Sequence, residues 1–571
     1  MSKEEHSASL LKRPGFKWLL LILFACIIFS INIWSDGIYS AQEGRAAVIA
    51  QNMLESGNWL HIHIKEAHET EKPIMCYWFY ALSGAVFGVN EFSVRLPSII
   101  AALATVIMTA WLGARIYNQR TGLLAGFVLA SMIGFVNLSR LARIDIVLCA
   151  FYTASMLLLY IGYFEKKKAN RWLYLFYLVL ALSVLVKGPV SVALVALTVV
   201  ALAIKERNFK IFWELKPVSG FFIGLAVNGP WYAYEIARTH GEFAQDFFMN
   251  QNISRFTGIN MTYCGGRRKT LFYYLPKLFA MALPWSILLP FGLFNFRKKL
   301  VKLRPATYYL LIWFLVVFVF FSSAAIKRGD YLLPLFAPMA ILIGRYLAWI
   351  IEQKPILSKK WIFFWVGIAI AGLVAAIVVK SGLLHQLGSM AVQDKIDHIS
   401  KRDGMGMMQV SDFINNMFIL SCAALALALG YLFWIGRLLE KGRPQAAVNA
   451  FLLVMLLIFC VFYIWIDPSQ NTLKTVKHFC KRSQSHVPVS SKVCYHNEWI
   501  TEAVFFMRRD YTRTGSQDDL FDNKTQQVKH EFILMPPEDF DSMPEAFKGK
   551  VEVLEKTVPN HHYALYLVKK K

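Results

Sequence analysis

Long apolar runs separated by short polar connections dominate the first 466 positions. A helix that crosses a bilayer needs roughly 20 mostly apolar residues. Runs of that kind begin near Phe16, Phe92, Thr121, Asp145, Trp172, Pro189, Val218, Leu271, Thr307, Tyr331, Trp361, Ser411 and Ala446. They predict about thirteen spans, and the division at Lys187-Gly188-Pro189 can be drawn in more than one way. The first run is long, is flanked by Lys12, Arg13 and Lys17, and lacks a small-residue cleavage site. It therefore reads as a span, not as a cleaved signal. The pattern changes at Asp467. Polar residues return, and short β-type runs at 487–490, 532–535 and 563–568 alternate with a helical stretch at 502–509. The expected organisation is a transmembrane domain over residues 1–466 and a small α/β domain over 467–571.

Composition narrows the class. Of 571 residues, 56% are hydrophobic and only 17% are charged, where soluble domains carry about a quarter charged. Mean hydropathy is +0.43. A soluble enzyme, a disordered chain and a collagen-like rod are excluded, leaving a mainly α, polytopic membrane protein. The net charge of +24 would suggest nucleic acid in a soluble protein. Here it suits cationic loops and anionic lipid head groups, and no nucleic-acid partner is expected.

The basic residues also set sidedness. Lys166–Lys168, Lys205 with Arg207, Arg297–Lys299, Lys359-Lys360 and the 437–443 stretch fall in every second connection. The positive-inside rule makes these connections cytoplasmic. Span parity then places the first long loop (residues 35–91) and the tail from 467 on the opposite face. The eight cysteines include no CxxC pair. Cys480 and Cys494, both in the outer domain, could pair in an oxidising compartment.

Several ionisable groups on the outer side serve no topogenic purpose, and charge near a membrane is costly. They are Gln42-Glu43-Gly44-Arg45, then Ser56-Gly57-Asn58-Trp59, Glu71-Lys72-Pro73, Arg143-Ile144-Asp145 and Lys187-Gly188-Pro189. Arg255 and Lys327-Arg328 follow, the latter shortly before Tyr331-Leu-Leu-Pro. In this order the motifs resemble the GT-C fold polyprenyl-phosphate-sugar glycosyltransferases. The branch is that of the bacterial aminoarabinose lipid A transferases and protein O-mannosyltransferases.

The resemblance implies a polyprenyl-phosphate sugar as donor, a lipid or glycan acceptor and inversion at the anomeric carbon. It also implies a bacterial inner-membrane location with the active site on the periplasmic face. At matching positions it implies that Glu43 and Asp145 are catalytic, and that Lys72, Arg45, Arg255 and Lys187 bind the substrate phosphate. Glu71, Lys327, Arg328 and Tyr331 would support them. One departure stands out. The family usually has Asp-Glu where this chain has Gln42-Glu43, so any base work falls to Glu43 or is not needed.

Each residue also has a plainer reading. Lys72 could be a snorkelling lysine, Lys187 a helix end, and Asp145 an N-cap or a partner of Arg143. Glu43 could pair with Arg45 merely to shape the loop. A divalent metal is the cofactor left open, at Glu71 or at His61, His63 and His68. Alternating histidines in a loop are more often simply solvated. The different-class alternative is a lipid or solute transporter or flippase, whose charges would lie near the bilayer midplane. The informative charges here sit at outer ends, which favours chemistry at the interface.

Overall fold

The computed structural model describes residues 14–34, 37–38, 40–64, 67–165, 169–259, 269–289, 304–353, 382–392, 408, 430–431, 433–469, 475–496, 500–522, 524–557 and 564–571. The runs expected from Trp361 and Ser411 lie outside these residues, as do Lys166–Lys168, Arg297–Lys299 and Lys359-Lys360. Two compact units are present. One comprises residues 1–348 with 459–464, and the other 349–458 with 465–571. The compact division therefore does not coincide with the boundary expected at 466.

The first unit opens with α1 (Pro14–Ser30) and α2 (Ala41–Ser56), followed by a two-residue hairpin, β1 (His63–Ile64) and β2 (Ala67–His68). Then come α3 (Met75–Phe87), α4 (Glu91–Ile116), α5 (Gln119–Ala130), α6 (Ile133–Ser139), α7 (Ile144–Tyr160), α8 (Ala169–Lys187), α9 (Val190–Glu206) and α10 (Pro217–Arg238). After a π-helical stretch at Gln245–Ser254 come α11 (Tyr274–Met281), α12 (Pro305–Ser323), a 3-10 segment at Gly329–Leu335 and α13 (Phe336–Gln353). Helix α14 (Pro444–Val461) precedes the tail.

Among the described residues, six helices are long and apolar enough to cross a membrane, or seven if the bent pair α5 and α6 forms one span. The runs starting at Phe16 and Pro189 give shorter helices of 17 residues each. The run from Leu271 does not form one long helix. It breaks into a 3-10 turn, α11 and a second 3-10 turn. Pro284 follows closely on α11, and the residue before a proline is disfavoured in the α region.

The first long loop holds more regular structure than its polar sequence suggests. Ser40 caps α2 by accepting from the backbone N–H of Glu43 at 3.3 Å, and Gly57 closes the helix in the left-handed region. Such a cap is worth about 1 kcal/mol. Glu43, Ala46, Ala47, Ala50 and Met53 share the buried face of α2, as a 3.6-residue period requires. Asn90 and Ser93 form a capping box on α4. The α4–α5 contact needs a glycine: a Cβ at Gly122 would lie 2.2 Å from the Ala110 carbonyl oxygen. Helix α7 runs through the centre of this unit, with 83% of its most apolar window buried.

In the tail, α15 (Lys477–His486) and α16 (Thr501–Met507) accompany a five-stranded sheet. Its strands are β3 (Val493–His496), β4 (Tyr511–Thr514), β7 (Phe532–Met535), β8 (Val551–Lys556) and β9 (Tyr566–Lys570), in the order β4-β3-β7-β9-β8. Strands β3, β4 and β7 are parallel, and β9 pairs antiparallel with β7 and β8. A separate ladder joins β5 (Phe521–Asp522) to β6 (Gln527–Val528). The fully buried run Phe532–Met535 and the buried Val493–His496 are what a parallel strand covered on both faces demands.

Two expectations for the tail are corrected. Residues 487–490 form no strand, since the strand begins at Val493; Pro488 cannot donate to a ladder. Cys480 and Cys494 are both free and buried. Cys480 Sγ lies 3.9 Å from the Ala503 carbonyl, and Cys494 Sγ lies 3.6 Å from Thr514 Oγ1. Each thiol is thus accommodated in its own packing environment.

Candidate active site

Ends of α2, α3, α7, α8 and α12 converge on a cluster of charged side chains. Lys187 ends α8 and forms an ion pair with Asp145 in the first turn of α7. Its ammonium also lies 4.3 Å from the centroid of the Tyr331 ring. The turn after it depends on Gly188, whose φ is +104° and where a Cβ would come within 2.5 Å of Phe247. Only glycine adopts that conformation without strain. Lys187 is thereby fixed at the end of the helix and aimed at Asp145.

Arg255 follows directly on the π-helical stretch and donates from NH1 to the Tyr331 hydroxyl at 3.5 Å. Irregular helical turns of this kind commonly occur at functional sites. Tyr331 packs on Phe321, with ring centroids 5.2 Å apart. The neighbouring Arg328 binds Asp330 with two hydrogen bonds, at 3.2 and 3.0 Å. Together, Glu71, Lys72, Lys187, Arg255 and Tyr331 line a cavity of about 440 Å³, with Phe256, Phe320 and Phe321 on its walls.

The Glu-Lys-Pro motif is held from below by Arg45. Arg45 NH1 lies 2.8 Å from Glu71 Oε2 and 3.2 Å from Glu69 Oε1. Burial pushes Glu69 above the usual carboxylate range even though Arg45 is adjacent. Glu71 is also pushed up by burial, but Arg45, Lys72 and Arg255 outweigh this and hold it below its ordinary value. Lys72 donates from Nζ to the Glu71 carbonyl at 2.9 Å. Burial, and then repulsion from Arg255, bring its ammonium down to about 8.

Glu43 is placed differently from its expected catalytic role. It is fully buried, and both carboxylate oxygens are occupied. Arg95 donates to them from Nε at 2.9 Å and from NH2 at 3.4 Å, and the Ala142 N–H donates at 3.0 Å. Arg95, itself 1% exposed, also binds the Ile33 and Gly37 carbonyls. Glu43 therefore braces the chain that leads into Arg143 and Asp145. Gln42, the other residue of the pair, accepts through Oε1 from Arg143. Its partner is thus not a carboxylate, and Asp145 pairs with Lys187 instead of Arg143.

Two further residues fall elsewhere. Lys327 binds the Lys269 and Ala324 carbonyls, tethering the chain before α11. Arg45 spends its NH1 on the two glutamates. The histidines do not assemble a metal site. His61 Nδ1 lies 3.0 Å from Glu235 Oε1 of α10, and His63 stacks on His61. His63 pairs through its backbone with His68 across the hairpin. Among the described residues no group of three His, Cys, Asp or Glu is arranged for a metal. The acids of the cluster are already matched by guanidinium or ammonium groups, which is not a donor set that suits a divalent cation.

Arg95 is the buried partner of Glu43 that the motifs do not mark. Its place near the start of an apolar run is the one sequence signal that an arginine there needs a partner.

A family model described as dolichyl-phosphate-mannose-protein mannosyltransferase matches residues 71–234. The chain is 30% identical over 334 residues to the undecaprenyl phosphate-α-4-amino-4-deoxy-L-arabinose arabinosyl transferase of Yersinia enterocolitica. That covers 57% of this chain and 58% of the relative. It is also 30% identical over 376 residues to the Erwinia tasmaniensis enzyme of the same description, covering 64% and 66%. The crystal structure of ArnT from Cupriavidus metallidurans bound to undecaprenyl phosphate superposes with a TM-score of 0.76 at 19% identity. It covers 96% of this chain and 97% of that one. The fold is that of a GT-C glycosyltransferase.

In sequence, this GT-C chain resembles the aminoarabinose transferases. It spans about three fifths of the length of the first curated relatives it matches. The archaeal oligosaccharyltransferase AglB of Archaeoglobus fulgidus, solved with an inhibitory peptide and a dolichol-phosphate, is a more distant match. Its TM-score is 0.51 at 9% identity, covering 92% of this chain and 69% of that one. A multi-pass membrane protein follows from fold and spans together.

Proposed function

We propose that this protein is an inverting, integral-membrane glycosyltransferase. It moves a sugar from a polyprenyl phosphate to lipid A or another anionic lipid on the extracytoplasmic face of the bacterial inner membrane. The observation that carries the reading is the cavity that combines Lys72, Lys187 and Arg255 with phenylalanine walls. A phosphate on an apolar tail needs both features at once. The kinship to transferases of undecaprenyl-phosphate aminoarabinose supports the same donor class.

The chemistry follows from the charges. A phosphate oxygen of the acceptor forms a bond to the anomeric carbon while the bond from that carbon to the polyprenyl phosphate oxygen breaks. The bonding pair leaves with that oxygen, so negative charge grows on the departing phosphate. Cations fixed there in advance stabilise the transition state more than the ground state. Arg255 offers paired donors to phosphate oxygens, and Lys72 and Lys187 add point charges. Asp145 holds Lys187 in place.

A hydroxyl acceptor would need a base. Glu43 is buried on Arg95, Asp145 is paired with Lys187, and Glu71 is held below its ordinary range by three cations. None of these is suited to take a proton. A phosphate acceptor is already anionic, which fits Gln42 in place of the family acid. Among the described residues no donor set for a divalent ion is formed, and the step is written without one.

The test is release of free polyprenyl phosphate from labelled lipid-linked sugar by the purified protein, dependent on added lipid A. Solute uptake into vesicles without any such release would overturn the reading. The pH dependence gives a second expected result. Lys72 is protonated below about 8 and neutral above it, and only the charged form assists departure. A profile of kcat/KM against pH should therefore decline above roughly pH 8, since that parameter reports the free enzyme. A profile flat to pH 10 would remove Lys72 from the clamp.

A further inference from the structure

Lys72 and Arg255 both line the charged cavity, yet they come from segments far apart in the chain. Lys72 sits on the arm that leads from the β1–β2 hairpin into α3, and Arg255 follows the π-helical stretch Gln245–Ser254. Their spacing must therefore be set by contacts between those segments. At the start of the arm, His61 Nδ1 lies 3.0 Å from Glu235 Oε1, and Trp231 Nε1 donates to the Leu60 carbonyl at 3.0 Å. Glu235 is fully buried, so this end of the arm is docked on α10.

Past the hairpin, Thr70 Oγ1 donates to Asp246 Oδ2 at 2.5 Å. Hydroxyl hydrogen bonds to a carboxylate of about 2.5–2.7 Å are roughly twice as strong as neutral ones. Thr70 stands two residues before Lys72, and Asp246 is the second residue of the π-helical stretch. The other carboxylate oxygen, Oδ1, accepts from Asn250 Nδ2 at 3.1 Å. Asp246 is thus held within its own stretch while it holds the arm. One residue on, Phe247 stacks on Phe243 with centroids 5.2 Å apart, and its ring lies where a Cβ on Gly188 would fall. Asp246 stands at the junction of the segments that carry Lys72, Lys187 and Arg255.

We propose that Asp246 is a positioning residue, which locks the Glu71-Lys72 arm to the π-helical stretch and so fixes the spacing of Lys72 and Arg255 across the cavity. What the two cations hold, the departing phosphate, rests on the reaction proposed above; the lock itself does not. The lock has a physical consequence at Lys72. Burial and then repulsion from Arg255 bring its ammonium down to about 8, with Lys187 acting in the same direction and Glu71 and Asp145 opposing. If the arm swings away from the stretch, Lys72 gains water and loses Arg255, and both changes raise its value. Removing a nearby negative charge would lower it, so a rise reports position and not the loss of the Asp246 carboxylate.

Thr70→Val removes the hydroxyl and keeps the shape, Asp246→Ala cuts the same bond from the other side, and Thr70→Ser retains it. Competitive acetylation of the amines across pH, read by mass spectrometry, gives the midpoint of Lys72 without any substrate. It should lie near 8 in the parent and in Thr70→Ser. In Thr70→Val and Asp246→Ala it should rise to roughly 9 or above, and the double variant should rise no further than either single one, since both break one bond. With labelled polyprenyl-phosphate sugar and lipid A, kcat/KM at about pH 7 should fall about tenfold to a hundredfold in both single variants. Its alkaline decline should move up with the midpoint. Thr70 is half-buried, so Thr70→Val should fold even if Asp246→Ala does not. Folded variants whose midpoint stays near 8 would overturn the proposal whatever their rate, because a loss of rate alone marks general loosening. A midpoint that falls in Asp246→Ala and stays in place in Thr70→Val would make Asp246 a source of charge, and would overturn it too. If the unaltered protein releases no polyprenyl phosphate from any donor, the reaction is wrong, and the acetylation midpoints still read the lock.

Discussion

Lys72→Ala should lower kcat/KM by about 10²–10³-fold, the effect typical of losing one preorganised electrostatic donor in an active site. The side chain lines the cavity with Glu71 and Arg255, and its own hydrogen bond goes to the Glu71 carbonyl. Its removal leaves no buried acid stranded, because Glu71 retains Arg45 at 2.8 Å. The melting temperature should therefore change little while turnover collapses. Lys72→Arg is the informative companion. A guanidinium stays charged throughout the accessible pH range, so this variant should keep measurable activity and lose the decline above pH 8. Unchanged turnover by Lys72→Ala in a folded protein would exclude the lysine from the reaction.

Much of this site could be read from the chain because charges placed at the outer ends of apolar runs need a reason to be there. Lys72, Asp145, Lys187, Arg255 and Tyr331 were all marked in that way, and the structure brings them to one place. The choice between adjacent positions is less legible. Gln42 and Glu43 point about 100° apart on a helix, and the motif alone favours the acid. The apolar residues Ala46, Ala47, Ala50 and Met53 already fixed the buried face of α2, and Glu43 is on it. Periodicity therefore places Glu43 on the buried face of α2, whatever its residue type suggests.

Other differences lay beyond local pattern. Hydropathy measures how apolar a run is, not whether it continues as one helix. The stretch after Leu271 therefore counted as a span although Pro284 lies close behind α11. The partners of Arg95 come from three separate segments, at residues 33, 37 and 43. No spacing rule within one element could have joined them. The same holds for His61 and Glu235, which are 174 positions apart.

The Glu43–Arg95 pair should show its importance in stability before it shows it in chemistry. Both side chains are buried to within 1%, and removing one partner of such a pair costs about 3–5 kcal/mol by stranding the other charge. Glu43→Leu and Arg95→Met should each sharply lower the melting temperature and the yield of folded protein. The double variant should recover part of that loss, because no lone charge remains, although the Ile33 and Gly37 carbonyls and the Ala142 N–H lose their partners. The recovery in a double-mutant cycle measures the coupling directly. Activity per folded molecule then separates a brace from a base. Loss of a general base lowers the rate by about 10²–10⁴ and is not restored by also removing the arginine it pairs with. If Glu43 acts only by fixing the approach to Asp145, the folded double variant should turn over within about tenfold of the parent, a gap smaller than any base deficit. A double variant that melts like the parent yet is inactive would return Glu43 to the chemistry, and a hydroxyl acceptor with it.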